Sequence, residues 1–294
     1  MKFKFLLCLL LFVLSAIVFN ACVQYRDTTQ YLQERIPEAR FEQFVADERN
    51  IRYMSLHRND TFPTLFFLHG SPSSMSVYNV YYHDEHLAQW ANIIAADRPG
   101  YGFSDFGRSE RSVRRQAEKM WEILEQEGYP SPLYIVGSSY GGTVATKMAM
   151  LKPEKVDGVL LVSASLAPGK ETTYDISYLI QFAPFRWFVP ASIMVANDEK
   201  LSHYDALNDM VPYWEDITSP VVLIQGTHDR LIFPENVDFA KRKLINSPWV
   251  ESHMLEGEGH FLQIKYREFI LERLQALISL DLQVIQQQKG ITAN

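Results

Sequence analysis

With 294 residues, 47% hydrophobic and 21% charged, the chain is long enough for one α/β domain with an insertion, or for two small domains. A formal net charge of −7 argues against nucleic acid as a partner, because phosphate binding needs a positive surface. The only cysteines are Cys8 and Cys22, so everything after residue 22 is without disulfides, Cys-based metal sites and thiol nucleophiles.

Residues 1–23 read as an export signal. Lys2 and Lys4 precede an apolar stretch from Phe5 to Phe19, followed by Asn20-Ala21-Cys22. Three forms fit this pattern: a bacterial lipoprotein signal with Cys22 lipidated, an uncleaved membrane anchor, or an ordinary cleaved signal for a secreted or periplasmic protein. All three put the folded body outside the cytoplasm, the first two attached to a membrane at the cell envelope. Residues 24–40 are polar and mixed, a tether or a first helix.

The core is expected over 41–165 and 219–282. Phe41–Val45 and Asn50–Leu56 alternate apolar and polar positions, as in an exposed antiparallel hairpin. Thr64–Leu68 is a continuous apolar run, the pattern of a strand covered on both faces. Similar runs recur at 92–96, 133–136, 156–162 and 221–225. Helical spacing separates them at 112–127, 140–151, 234–244 and 261–280. Strands alternating with helices predict a mostly parallel sheet with helices on both faces, an α/β fold.

Residues 166–218 break the rhythm. They hold no buried-strand pattern, but they carry nine aromatic residues counted between Tyr174 and Trp214, and four prolines. So long an interruption inside a domain is usually functional, and it reads as a helical cap over the site. Residues 283–294 read as a polar tail.

The chemistry centres on Gly137-Ser138-Ser139-Tyr140-Gly141-Gly142, directly after the run ending at Val136. A small-x-nucleophile-x-small pattern between strand and helix is the mark of a nucleophile elbow, which names the Ser139 hydroxyl. Centring on Ser138 instead would put Val136 and Tyr140 where small residues belong. A serine needs a base and an orienting acid. His260 in Gly257-Glu258-Gly259-His260 sits on a glycine-flanked loop and is the expected base. Asp229, just beyond the 221–225 strand, is the expected acid. The order Ser139, Asp229, His260 is that of α/β-hydrolases. Backbone N–H groups of Ser71, in His69-Gly70-Ser71-Pro72, and of Tyr140 are the expected oxyanion hole. The turn Asp97–Ser104 is expected to brace the site.

These five signals, in this order, resemble the α/β-hydrolase superfamily and its lid-bearing branch, over about residues 45–280. The resemblance implies an eight-stranded sheet with a helical cap and a cofactor-free hydrolase of small acyl substrates. Epoxide hydrolases and haloalkane dehalogenases of that branch use an Asp nucleophile, where this chain has Ser139. Proline iminopeptidases carry a Gly-rich oxyanion loop and a Trp after the nucleophile, where this chain has Ser71 and Tyr140. An ester or related acyl substrate is therefore the expected target. An amide or peptide substrate, or a non-catalytic binding role for the same pocket, is the alternative. Other candidates are weaker. His69 reads as a structural hydrogen-bonding residue. His228 is adjacent to Asp229 and poorly placed to pair with it. Asp238 falls inside a helix. His83-Asp84-Glu85-His86 has no further ligand cluster to make it a metal site, and none is expected.

Overall fold

The apolar runs become neighbours in one sheet. The computed structural model describes residues 29–182 and 185–280. Segments 1–23 and 283–294, with Cys22, lie outside the described residues. The strands are β1 (Arg40–Ala46), β2 (Arg49–Leu56), β3 (Thr64–Leu68), β4 (Asn92–Ala96), β5 (Leu133–Ser138), β6 (Gly158–Val162), β7 (Val221–Gly226) and β8 (Val250–Leu255). They lie in the order β1-β2-β4-β3-β5-β6-β7-β8. β2 is antiparallel to both neighbours, and every pair from β4 to β8 is parallel. Chain order reverses around β3, which brings the loops after β3 and β5 side by side at the strands' C-terminal edge.

Both faces are covered. One apolar cluster joins the sheet to helices α2 (Val113–Gln126) and α3 (Tyr140–Leu151), through Trp121, Val144 and Met148. The other joins it to α1 (Thr29–Arg35), to Tyr78 and Tyr81, and to the C-terminal helix through Ile270 and Leu274. Ser112 caps α2, its hydroxyl accepting from the Arg115 N–H at 3.2 Å.

Three expectations need correction. The hairpin is exposed only along β1. β2 is buried at seven of its eight positions because it runs between β1 and β4. The segment expected as one helix over 261–280 is two: a single turn at Leu262–Lys265, then a helix at Arg267–Ile278, parted at Tyr266, whose backbone leaves the helical region. Residues 24–40, expected as a tether or a first helix, include the helix α1, and only the boundary shifts: their last residue, Arg40, opens β1.

Between β6 and β7 the chain forms α4 (Asp175–Ile180), a 3-10 turn at Phe185–Phe188, α5 (Ala191–Met210) and a 3-10 turn at Val211–Asp216. Its aromatics divide. Trp214 is buried against Phe239 in the core. Tyr174, Tyr178, Phe182, Phe185 and Trp187 are each more than half exposed.

α3 meets β3 with no room for a side chain between them. A side-chain carbon on Gly141 would lie 2.2 Å from the Leu68 carbonyl oxygen and 2.4 Å from that of His69. Backbone leaves no room to yield, so Gly141→Ala should push α3 off the strand. We expect a loss of about 1–3 kcal/mol, read as a lower urea midpoint. An unchanged midpoint would contradict this packing.

Candidate active site

Ser139 sits between β5 and α3 with φ 52° and ψ −125°, a positive-φ conformation that most side chains avoid. Three backbone hydrogen bonds hold it there. Its N–H donates to the Val162 carbonyl at 3.0 Å, and its own carbonyl accepts from Gly142 at 3.0 Å and Ser165 at 3.3 Å. A side-chain carbon on Gly137 would come within 2.6 Å of the Gly141 carbonyl, so the sharp turn needs both glycines. The turn leaves Ser139 partly exposed while Ser138 is buried, its hydroxyl 3.0 Å from the Tyr78 hydroxyl.

His260 comes from the loop after β8. The end of β7 receives that loop closely: a side-chain carbon on Gly226 would meet the carbonyl oxygens of Glu258 at 2.3 Å and Gly259 at 2.5 Å. The imidazole lies between two partners. Its Nδ1 is 2.7 Å from Asp229 Oδ2, and its Nε2 is 3.1 Å from Ser139 Oγ. Asp229 is buried, and its other oxygen accepts the N–H groups of Leu231 and Ile232, both at 2.9 Å. Gln225 donates to Oδ2 at 3.0 Å. Burial alone would raise the Asp229 pKa. The His260 hydrogen bond and charge, with those two N–H groups, outweigh it and hold the carboxyl below the ordinary range. A fixed carboxylate, an imidazole and a hydroxyl in hydrogen-bonded series can move a proton from oxygen to nitrogen.

The loop at 69–71 lies against this series. A side-chain carbon on Gly70 would be 2.9 Å from Ser139 Cβ and 3.6 Å from its Oγ. Tyr140 opens α3, so its N–H is among those a helix leaves without an internal partner. His69 is buried: its Nε2 accepts the Arg98 N–H at 2.9 Å and its Nδ1 donates to the Gly70 carbonyl at 2.7 Å. Burial and the Arg98 charge push its pKa well below the ordinary value. In the Asp97–Ser104 turn, Asp97 accepts the N–H groups of Met75 and Phe103. His228 and Asp238 are both exposed and outside the series. Among the described residues, no group of three or more His, Cys, Asp or Glu is placed to hold a metal.

The sequence reasoning did not single out two buried polar groups on α5. Glu199 reaches Arg98, Gln116, Tyr101 and Ser71. His203 stacks on the Tyr140 ring, 4.5 Å between centroids, and lies between Thr143 and Glu171. Both fall on the helix stripe of Val195, Leu207 and Met210, all buried. Polar residues at apolar positions four apart were the available signal. The Thr143–His203–Glu171 series copies the spacing of the first one, but Thr143 is fully buried and its hydroxyl is 2.6 Å from the Ser165 carbonyl. Its proton is committed there, and no substrate can approach.

The alpha/beta hydrolase fold family matches residues 63–188. This stretch runs from β3 through the elbow, and the sheet order around it is the family's. The chain has the α/β-hydrolase fold. Among curated proteins, the chain is 35% identical over 121 residues to an uncharacterized protein of Mycobacterium tuberculosis, covering 41% of this chain and 33% of that protein. The match thus spans about a third of the length of the curated mycobacterial relatives. Among solved structures it is similar to a putative lipase from Acinetobacter baumannii AYE, with TM-score 0.64, 19% identity, and 90% and 98% of the two chains covered. It is also similar to the esterase RhEst1 from Rhodococcus sp. ECU1013, with TM-score 0.62, 20% identity, and 83% and 100% covered. At these identities the structural likeness speaks for the fold.

Glu171 makes the stability of the chain depend on pH. It is paired with Lys200 at 2.7 Å and His203 at 2.9 Å. Burial alone would raise its pKa, but these two partners bring it down to about 2 from the ordinary 4.5. A depressed carboxyl contributes stability that is fully present above its unfolded value and lost as pH falls through its folded one. Glu171→Gln should therefore be less stable than the parent near pH 7, and the two should converge as pH approaches about 2. Urea denaturation across pH checks this. A constant offset at every pH would contradict it.

Proposed function

We propose that the chain is a cofactor-free serine hydrolase that cleaves an ester or related acyl substrate through an acyl-enzyme. The observation that carries the reading is the unbroken series Asp229 Oδ2–His260 Nδ1 at 2.7 Å and His260 Nε2–Ser139 Oγ at 3.1 Å. Ser139 Oγ attacks the carbonyl carbon as its proton passes to His260 Nε2. The carbonyl π-electrons move onto oxygen, and the tetrahedral anion faces the N–H groups of Ser71 and Tyr140. Collapse breaks the bond to the leaving oxygen, which takes the proton from His260. Water then repeats the sequence: it gives a proton to His260, adds to the acyl carbon, and releases Ser139 and a carboxylic acid. Asp229 holds the imidazole tautomer and stabilises its cation throughout.

A neighbour titled an esterase and another titled a putative lipase favour an acyl ester over an amide. A purely binding role would need neither the three aligned groups nor the strained elbow. The exposed cap aromatics from Tyr174 to Trp187 favour an apolar acyl group. The apolar leader before Cys22 favours a body held at a membrane outside the cytoplasm.

The test is hydrolysis of p-nitrophenyl esters of increasing chain length. We expect Ser139→Ala to lower kcat on the order of 10⁴–10⁶-fold, and Asp229→Asn by about 10⁴-fold. Wild-type turnover by Ser139→Ala would overturn the proposal.

A further inference from the structure

Glu199 is a charged residue in the cap with no exposed surface. An ionised carboxylate offers about four acceptor sites, and here all are taken. Its Oε1 accepts from Arg98 Nη1 at 2.6 Å and Gln116 Nε2 at 2.8 Å. Its Oε2 accepts from the hydroxyls of Ser71 and Tyr101, each at 2.6 Å. Arg98 is also fully buried. Burial would lower its pKa, but the Glu199 charge and hydrogen bond, together with Tyr101 and Tyr140, outweigh that and the net direction is upward. A buried ion pair is an expensive way to fasten a cap, since well-packed apolar side chains often do it as well or better. What an ion pair adds is direction.

That direction falls on the loop at the nucleophile. Arg98 Nε donates to the His69 carbonyl at 2.8 Å, and Nη2 donates to the Gly70 carbonyl at 3.1 Å. His69 Nδ1 holds the same Gly70 oxygen at 2.7 Å. The Gly70 carbonyl and the Ser71 N–H belong to one planar trans peptide, so fixing the oxygen fixes the N–H in the opposite direction. Glu199 then holds the far side of that peptide through the Ser71 hydroxyl. The peptide is gripped at both ends, and among the described residues Glu199 is the cap residue that partners it.

We propose that Glu199 is a positioning residue: from the cap it locks the Gly70–Ser71 peptide plane, so that a seated cap and a correctly aimed Ser71 N–H are the same state. This rests on the serine-hydrolase reading above. A cap lifted from the core would take Glu199 off Ser71 and Arg98 and free the peptide to turn. Oxyanion stabilisation would then be lost before substrate binding is.

The test is a double-mutant cycle on p-nitrophenyl butyrate, well below the melting temperature of every variant. Hydrolysis by the wild type, and its loss in Ser139→Ala, test the serine-hydrolase reading separately. A protein that passes those and fails the cycle overturns only the role of Glu199. We expect Glu199→Gln to lower kcat about 10–100-fold, somewhat less than deleting a donor outright, with KM within about twofold. Ser71→Ala should lower kcat in the same way. The double variant should lose clearly less than the product of the two single losses, because both act on one peptide. A wild-type kcat in Glu199→Gln, or losses that multiply, would overturn the proposal. Should Glu199→Gln not fold, Ser71→Ala decides alone, since it leaves the Arg98–Glu199 pair in place. Lowered kcat at unchanged KM and melting temperature supports the proposal, and wild-type kcat overturns it.

Discussion

Everything at this site depends on how closely α3 can approach the sheet. Ser139 occupies a backbone conformation that costs about 1–3 kcal/mol. It is tolerated because Gly137 and Gly141 let three backbone segments meet where no side chain fits. That contact does two things together. It lifts the hydroxyl clear of the strand, and it aims the N-terminus of a long buried helix at the same point. The Gly226 contact repeats the device one loop over, bringing the segment of His260 down onto β7. Two close backbone approaches, each made possible by a missing side chain, set the distance between hydroxyl and imidazole.

The segment between β6 and β7 is fastened in a different way. Its buried face carries Glu199 and Asp198, tied to Arg98 and Arg111 of the core, and His203, tied to Glu171 within the same segment, rather than a continuous apolar stripe. Polar ties of this kind fix orientation more than they add stability. Meanwhile Tyr174, Tyr178, Phe182, Phe185 and Trp187 are exposed. The segment thus pairs buried charge with exposed aromatic surface.

Much of this was legible in the sequence because it depends on local pattern. The buried parallel strands announce themselves as apolar runs, and the elbow by glycine spacing around Ser139. Asp229 and His260 stand out because each follows a strand or a glycine loop where a side chain can reach the sheet edge. The misses have equally physical causes. β8 is an edge strand with mixed composition, half exposed along its length, so it lacks a continuous run. β2 alternates like a surface hairpin, yet Arg52 is buried by stacking on Phe41 and Phe103. The last helix has unbroken apolar spacing through Tyr266, and nothing in that spacing reveals the break. Glu199 is the deepest case. A glutamate in a helix ordinarily reads as solvated, and only its partners, one of them 128 positions away at Ser71, make it otherwise.

The central claim is that the hydroxyl of residue 139 becomes covalently acylated. A fluorophosphonate probe reports this directly, because it reacts with a serine only when base and oxyanion donors are in place. Intact-mass measurement followed by peptide mapping should find one adduct per chain, on the peptide containing Ser139. A protein that hydrolyses esters yet takes no adduct, or carries it on another residue, would contradict the account.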